Sequence, residues 1–235
     1  MGLRWARAGG DGGGLRMKLD IPAGDFAGYI FDLDGTLIDS MPIHYVAWDA
    51  AMRRAGLREK LSEELFYSLG GVPTRRVAEL IGQHYGLAVD VEQVFHEKEA
   101  FFTEKLAGVK LIAPVVAVAR EVAKTRPVAI ASGGPREIVE RSLAVSGLAP
   151  LFPVVVSADD VVHGKPSPDM FLLAAKRMGV PAERCLVFED AEPGMRAAGH
   201  GGRETPAVPG LRLRCDSDVA LWHAGVQRRP AACSG

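Results

Sequence analysis

The fold is decided by residues 28–36, which read GYIFDLDGT. The first four residues carry no polar face, as in a parallel strand that is buried on both sides of its sheet. Asp32 and Asp34 follow directly. Because they are two positions apart in extended chain, their side chains are expected to point the same way, roughly 6–7 Å apart at ~3.3 Å per residue. A phosphoryl group fits between two carboxylates at that spacing.

The pattern after this stretch is first helical and then alternating. Helices are predicted at 44–54, 62–68, 74–85 and 90–105. From residue 108 onward, helices alternate with short apolar strands, predicted at 127–131, 154–156 and 185–188.

This order of elements predicts an α/β fold with a doubly wound, Rossmann-like parallel sheet. We assign residues 17–41 and 108–199 to a Rossmann-like catalytic core. Residues 42–107 are then an all-helical cap domain inserted after the first strand.

The two ends of the chain do not fit the pattern. Residues 1–16 are dominated by Gly and Arg and are predicted to be a disordered extension, so the folded part is expected to start near Met17. Residues 200–235 form an atypical tail without periodicity, for which disorder is one interpretation. The sheet would then lack a strand beside the one at 185–188, leaving an exposed edge.

Bulk composition argues against several classes of protein. Lys+Arg 28 against Asp+Glu 29 gives a formal net charge of −1, so no basic excess points to nucleic acid. The longest apolar stretch, residues 111–119, is too short to span a bilayer, and we expect no signal peptide. Cys185 lies in an apolar run and is predicted to be a buried thiol. We therefore expect a cytoplasmic protein that binds neither nucleic acid nor membrane. The oligomeric state is open, with a monomer as the default.

Polar side chains follow the carboxyl ends of the predicted strands, where ligands bind in sheets of this kind. Ser132 and Gly133 follow the second strand, and Lys165 lies in the loop after the third. Glu189 and Asp190 follow the fourth. Each motif alone is more often an ordinary turn or surface loop. Their joint occurrence, each at a strand end, predicts one site.

Charge suggests the chemistry of that site. One of Asp32 and Asp34 can attack phosphorus while the other handles the proton of the leaving or entering oxygen. Two anions facing an anionic substrate need a cation, and oxygen ligands select Mg²⁺. Glu189 and Asp190 are the further candidate ligands.

The phosphate also needs hydrogen-bond donors and close backbone approach. Ser132 and Lys165 can donate to its equatorial oxygens. Gly35 allows the backbone to come close to it. Together with Thr36 and Gly133, Gly35 is assigned to substrate binding.

These motifs resemble the four motifs of the haloacid dehalogenase-like phosphatase superfamily, over roughly residues 26–199. The resemblance implies that Asp32 forms an aspartyl-phosphate, and that Asp34 protonates the leaving group and then activates water. It also implies that Asp32, the carbonyl of Asp34, and Asp190 hold Mg²⁺. Dehalogenases of this superfamily lack the second aspartate and the metal, so Asp34 argues against that chemistry.

The helical insertion resembles the beta-phosphoglucomutase-like subgroup, and residues 165–171 and 188–191 are similar to bacterial fructose-1-phosphate phosphatases. In that subgroup His44 would touch the leaving group or link cap closure to Asp34. From spacing alone, a histidine facing solvent is an equal alternative. Arg75 and Arg136 are candidate substrate-binding residues, against the alternative of solvated helix faces.

The sequence therefore predicts a Mg²⁺-dependent phosphoric monoester hydrolase. Its substrate would be a small phosphorylated metabolite, a sugar phosphate such as fructose-1-phosphate. Two alternatives stay open. One is a beta-phosphoglucomutase-like phosphomutase, and the other is an inactive, truncated or frame-shifted copy, which the tail suggests.

Overall fold

The computed structural model describes residues 21, 24–199 and 210–212. The predicted disordered extension at 1–16, the start at Met17 and most of the atypical tail lie outside the described residues.

The described residues form a five-stranded, all-parallel sheet with the order β3-β2-β1-β4-β5. The strands are β1 Gly28–Phe31, β2 Val128–Ala131, β3 Val154–Val156, β4 Cys185–Glu189 and β5 Gly210–Arg212. The chain builds outward from β1 to β3 and then returns to the other side of β1. The strand order therefore reverses between β1 and β4, which is where such sheets bind ligands. The predicted doubly wound α/β fold is confirmed.

The expectation that no strand lies beside β4 is wrong. Gly210–Arg212 pairs with β4 in parallel, with Leu211 opposite Phe188. A parallel ladder is made by backbone N–H and C=O groups, so a short strand can form where the sequence has no apolar alternation to reveal it.

Eight α-helices lie in the described part of the chain. They are α1 Met41–Arg54, α2 Glu63–Ser68, α3 Thr74–Tyr85, α4 Val91–Lys105, α5 Ala113–Val122, α6 Arg136–Val145, α7 Asp169–Met178 and α8 Glu192–Gly199. A side-chain cap explains where α4 begins: the Asp90 side chain accepts a hydrogen bond from the Gln93 backbone N–H at 3.0 Å. None of the described helices combines the length and apolar composition that a bilayer span requires.

Both faces of the sheet are buried. Phe31 and Phe188 stack with their ring centroids 4.5 Å apart in the core on one face. Ile30 and Val187 contribute to the core on the other face, together with Phe171 of α7. Burial of such side chains stabilises the fold by roughly 1.5–3 kcal/mol each. Double burial explains why these strands are continuously apolar.

Helices α1–α4 share an apolar core of their own. Trp48 and Met52 of α1 pack in it with Phe66 of α2, Ile81 of α3 and Val94 of α4. This cluster is distinct from the two cores that flank the sheet. The helical segment therefore buries its apolar surface largely within itself.

Candidate active site

The ends of β1 and β4 bring three carboxylates together at the point where the strand order reverses. Phe31 lies opposite Phe188 in the ladder, and the Asp32 N–H donates to the Phe188 carbonyl at 3.0 Å. Asp32 therefore emerges beside Glu189, the last residue of β4, and Asp190. One carboxylate oxygen from each of Asp32, Glu189 and Asp190 lies within 4.8 Å of the others.

Lys165 is fixed between two of these carboxylates. Its Nζ donates to Asp32 Oδ1 at 2.6 Å and to Glu189 Oε2 at 2.7 Å. Burial alone would lower the pKa of Lys165, but the charges of Asp32 and Glu189 raise it above its ordinary value. Lys165 is therefore held as an ammonium in the floor of the site, which consists of Asp32, Lys165, Glu189 and Asp190.

The floor still carries excess negative charge. Burial, with the charge of Asp32 as the second cause, raises the pKa of Glu189 to about 8 and the pKa of Asp190 to about 7. Burial and the nearby Asp34 charge also raise the pKa of Asp32, although Lys165 opposes the shift. Carboxylates in this condition favour protonation or a cation. Hard oxygen donors at this separation fit a divalent cation.

Gly35 and Thr36 hold Asp190 in place. The Thr36 hydroxyl donates to Asp190 Oδ1 at 3.0 Å. Gly35 has a φ of +87°, and a Cβ at this position would collide with the Asp190 carboxylate. The sequence assigned both residues to substrate binding, but neither lines the cavity. Both residues lie against Asp190 of the acidic cluster, and their assignment to substrate binding stays a prediction.

The Asp34 carboxylate is held apart from that cluster. It accepts a hydrogen bond from Ser40 Oγ at 2.5 Å and lies 3.1 Å from His44 Nε2. Burial alone would raise the pKa of Asp34, but His44 and Ser40 lower it below its ordinary value. The metal ligand expected from Asp34 is its backbone carbonyl, and its carboxylate is not among the three clustered ones.

His44 faces the site rather than solvent. Its ring stacks on Phe102 with the centroids 3.9 Å apart, and its side chain is 13% exposed. The solvent-facing alternative for this histidine is therefore wrong.

A cavity of about 410 Å³ joins the strand ends to α1–α4. Its lining includes Asp32, Asp34, Ser132, Gly133, Glu189 and Asp190 from the sheet side, and His44, Trp48, Thr74, Lys98 and Glu99 from the helical side. The two sides approach closely at Gly133, where a Cβ would lie 2.5 Å from the Gly71 carbonyl oxygen. Ser132 Oγ accepts from the Gly134 N–H at 3.2 Å.

Two predicted substrate-binding residues lie outside this cavity. Arg75 makes two hydrogen bonds to Glu92, at 2.7 and 3.1 Å, on the protein surface. Arg136 pairs with Asp160 and with Glu140. Neither arginine lines the cavity, and the solvated-face alternative describes Arg75 better.

Sequence reasoning missed Lys98 and Glu99 of α4, which line the cavity and are only 2% and 7% exposed. A signal was present. Position 98 falls in the same helical stripe as Val94, Phe95 and Phe102, where an apolar residue is expected. A charge in an apolar stripe marks either a buried ion pair or a site.

The sheet, its acidic strand ends and the inserted helices define a phosphate-handling hydrolase of a known type. The model of the haloacid dehalogenase-like hydrolases matches residues 26–202, and the chain belongs to that family. The resemblance predicted from the motifs is confirmed.

Particular relatives narrow the class. The chain is 39% identical to the fructose-1-phosphate phosphatase YqaB of Escherichia coli over 184 residues, 78% of this chain and 96% of that protein. It is 33% identical to a phosphorylated carbohydrates phosphatase of Thermotoga maritima over 203 residues, 83% of this chain and 90% of that protein. A solved hydrolase from Pseudomonas syringae superposes with a TM-score of 0.67 at 27% identity, covering 73% of this chain and 79% of that one. The predicted enzyme class, a phosphoric monoester hydrolase, is confirmed.

Proposed function

We propose that this enzyme hydrolyses sugar phosphates through an aspartyl-phosphate on Asp32, with Mg²⁺ as the cation. One observation carries the proposal. Asp32 is held by a buried ammonium at the edge of a three-carboxylate cluster, while Asp34 is held separately by Ser40 and His44 in the same cavity. Two aspartates from one short loop thus have different partners, as a nucleophile and an acid–base group require.

Asp32 is the nucleophile of the first step. Its carboxylate oxygen bonds to phosphorus as the bond from phosphorus to the sugar oxygen breaks. Lys165 orients the carboxylate and keeps it charged. In the second step water attacks the phosphorus and Asp32 leaves as a carboxylate.

Asp34 moves the protons of both steps. In the free site its pKa is lowered, so it begins as a carboxylate. An anionic ester beside it raises that pKa, so substrate binding itself favours proton uptake at Asp34. Asp34 gives this proton to the departing sugar oxygen and then takes one from the attacking water. His44 Nε2, 3.1 Å away, is positioned to relay it.

Asp32, the carbonyl of Asp34, and Asp190 are the groups that would hold the cation. Glu189 was predicted as a ligand, but Oε2 accepts from Lys165 and Oε1 accepts from the Ala191 N–H at 3.2 Å. We assign Glu189 to the positioning of Lys165. When bound, Mg²⁺ supplies charge that neutralises the phosphoryl oxygens.

The helices α1–α4 act as the cap predicted for residues 42–107, over a catalytic core of residues 17–41 and 108–199. The close approach of Gly71 to Gly133 marks where the cap seals against the core. Closure excludes bulk water from the site. The buried free thiol of Cys185 suits a reducing compartment, and we place the enzyme in the cytoplasm.

The substrate proposal draws on the relatives. Two of them are named as phosphatases of fructose-1-phosphate and of phosphorylated carbohydrates. The test is inorganic phosphate release from a panel of phosphate esters, with and without Mg²⁺. We expect Mg²⁺-dependent release, with fructose-1-phosphate among the better substrates. A folded protein without Mg²⁺-dependent turnover on any ester would instead support the inactive-copy alternative.

The same panel separates hydrolysis from a mutase reaction. Conversion of beta-glucose-1-phosphate to glucose-6-phosphate without phosphate release would contradict the phosphatase proposal and support the phosphomutase. We expect phosphate release instead.

A further inference from the structure

The cap wall of the cavity contains a buried ion pair. Lys98 Nζ donates to Glu99 Oε1 at 2.9 Å, and the Thr74 hydroxyl donates to the same oxygen at 3.1 Å. The side chains of Lys98 and Glu99 are 3% and 8% exposed. All three residues line the cavity above the strand ends.

The second oxygen of Glu99 is unsatisfied. Among the side-chain nitrogen and oxygen atoms of the described residues, Glu99 Oε2 is the buried one without a hydrogen-bond partner. Buried polar atoms are almost always paired, because leaving one unpaired is costly. Glu99 lines the cavity, so its carboxylate has capacity for one further hydrogen-bond donor, either a water or a hydroxyl group of a ligand.

The charged side chains of the cap wall indicate which hydrogen-bond donors a ligand can present to Glu99. Within the described part of the chain, Lys98 is the one basic side chain, lysine or arginine, that lines the cavity. Its charge is paired with that of Glu99. Lys98 also lies 5.1 Å from the Phe102 ring centroid and 5.8 Å from that of Trp48. His44 is engaged by Asp34. The cap wall thus offers an anionic acceptor and no unmatched cation.

We infer that Glu99, supported by Thr74 and Lys98, forms a subsite on the cap side of the cavity for the hydroxyl groups of the substrate. The subsite selects monophosphates whose remaining part is an uncharged polyol, and it rejects esters that place a second phosphate or a carboxylate on the cap side. This inference rests on the proposed function and specifies its substrate class. It also disfavours a mutase, because returning the phosphoryl group to a sugar monophosphate passes through a bisphosphate.

The test compares three esters at saturating Mg²⁺: fructose-1-phosphate, fructose-1,6-bisphosphate and p-nitrophenyl phosphate, which carries no hydroxyl groups. In the parent enzyme, kcat/KM for fructose-1-phosphate should exceed that for the bisphosphate. In Glu99→Gln, the ratio of kcat/KM for fructose-1-phosphate to that for p-nitrophenyl phosphate should fall by roughly 10- to 100-fold, as expected for weakening a hydrogen bond to a charged group. The preference over the bisphosphate should narrow in the same variant.

Two further variants keep the result interpretable. Glu104→Gln makes the same change at an exposed position of the same helix and should leave both ratios unchanged. If Glu99→Gln does not fold because Lys98 loses its counterion, the double variant Lys98→Met/Glu99→Gln removes both charges of the pair. We expect the same fall in the ratio for this double variant.

The outcomes separate the two claims. Normal parent turnover, with the ratio in a folded Glu99 variant unchanged within about twofold, would overturn the subsite alone. An equal loss on the sugar ester and the aryl ester would also overturn it. Absence of parent turnover on all three esters would overturn the proposed function, and this inference with it.

Discussion

Two buried lysines, one beneath the strand ends and one in the cap wall, have different sets of hydrogen-bond partners. In the floor, Lys165 bridges Asp32 and Glu189 at 2.6 and 2.7 Å. In the cap wall, Lys98 meets one carboxylate, and Glu99 keeps an oxygen without a partner. A lysine held by two carboxylates is fixed in place and suits a reaction common to every substrate. A partly paired cluster leaves hydrogen-bonding capacity for a particular ligand.

The largest expected effect is on turnover, and it should distinguish catalysis by the floor residues from substrate recognition by the cap wall. Asp32→Asn replaces the nucleophile with a neutral amide, so turnover should fall at least ~10³-fold on every ester tested, without loss of the fold. Glu99→Gln should instead act unequally on different esters. Steady-state kinetics and circular dichroism check both. Residual Asp32→Asn activity above about a tenth of the parent would contradict the role of Asp32, and Asp25→Asn is an exposed control.

A second prediction compares the stability that each lysine supplies. Lys165→Met leaves two buried carboxylates facing each other, which should lower the free energy of unfolding by about 3–5 kcal/mol. Lys98→Met leaves only Glu99, which still accepts from Thr74, so the loss should be smaller, about 1–3 kcal/mol. Urea denaturation without added divalent cation measures both. Equal losses, or the reverse order, would remove the distinction between floor and wall.

Mg²⁺ should bind to the floor carboxylates and not to the cap wall. Mg²⁺ at about 100 times its Kd should stabilise the parent by roughly 2.7 kcal/mol, seen as a higher Tm, because only the folded state assembles the carboxylates. A chelator should remove this gain together with turnover. Asp190→Asn should lose most of the Mg²⁺-induced rise in Tm, while Glu99→Gln should keep it. A rise in Tm that survives in Asp190→Asn would place the cation elsewhere.

The smallest expected effect on stability concerns the hydrogen-bonded group around Asp160, which lies outside the cavity. It serves as a reference for the groups around Lys165 and Lys98. Asp160 accepts from the Ser157 N–H at 2.8 Å and from Arg177 at 2.7 Å, and it also pairs with Arg136. Partial burial alone would raise the pKa of Asp160, but the hydrogen bonds from Ser157 and Arg177 lower it well below 3.8. Because the folded pKa is the lower one, this stabilisation is present above the ordinary pKa and is lost as the pH falls toward the folded value.

Asp160→Asn should therefore lower the free energy of unfolding by about 1–2 kcal/mol at pH 7, and the difference should shrink on acidification below about pH 4. Urea denaturation across this pH range checks it. A difference that does not vary with pH would show that the charge of Asp160 has no part in it.

The position of the floor carboxylates could be predicted from sequence, because it depends on short local patterns. An apolar strand followed by acidic residues places Asp32 and Asp190 at the same sheet edge whatever the exact register. The contacts of Gly35 and Thr36 with Asp190 could not be predicted, for the opposite reason. The hydrogen bond from Thr36 to Asp190 spans 154 positions along the chain, and both contacts arise only from the pairing of β1 with β4.

The residues of the cap wall were harder to predict from sequence, because the burial of a helical side chain depends on which face of its helix packs against the neighbouring helices. Arg75 follows a loop that borders the cavity, yet its side chain turns outward to Glu92. Lys98 and Glu99 look like a solvated charge pair until α4 packs against α1 and α3. Strand β5 escaped prediction because its backbone pairing leaves no apolar pattern in three residues.

The most direct test of the central claim is to find the phosphoryl group on the enzyme during turnover. The parent protein is mixed with labelled fructose-1-phosphate and Mg²⁺, quenched in acid within the first turnover, digested and sequenced by tandem mass spectrometry. We predict a phosphoryl group on the Asp32 side chain that is absent from Asp32→Asn and from samples with chelator. A phosphoryl group on Asp34 or another residue, or full turnover with none on the protein, would contradict it.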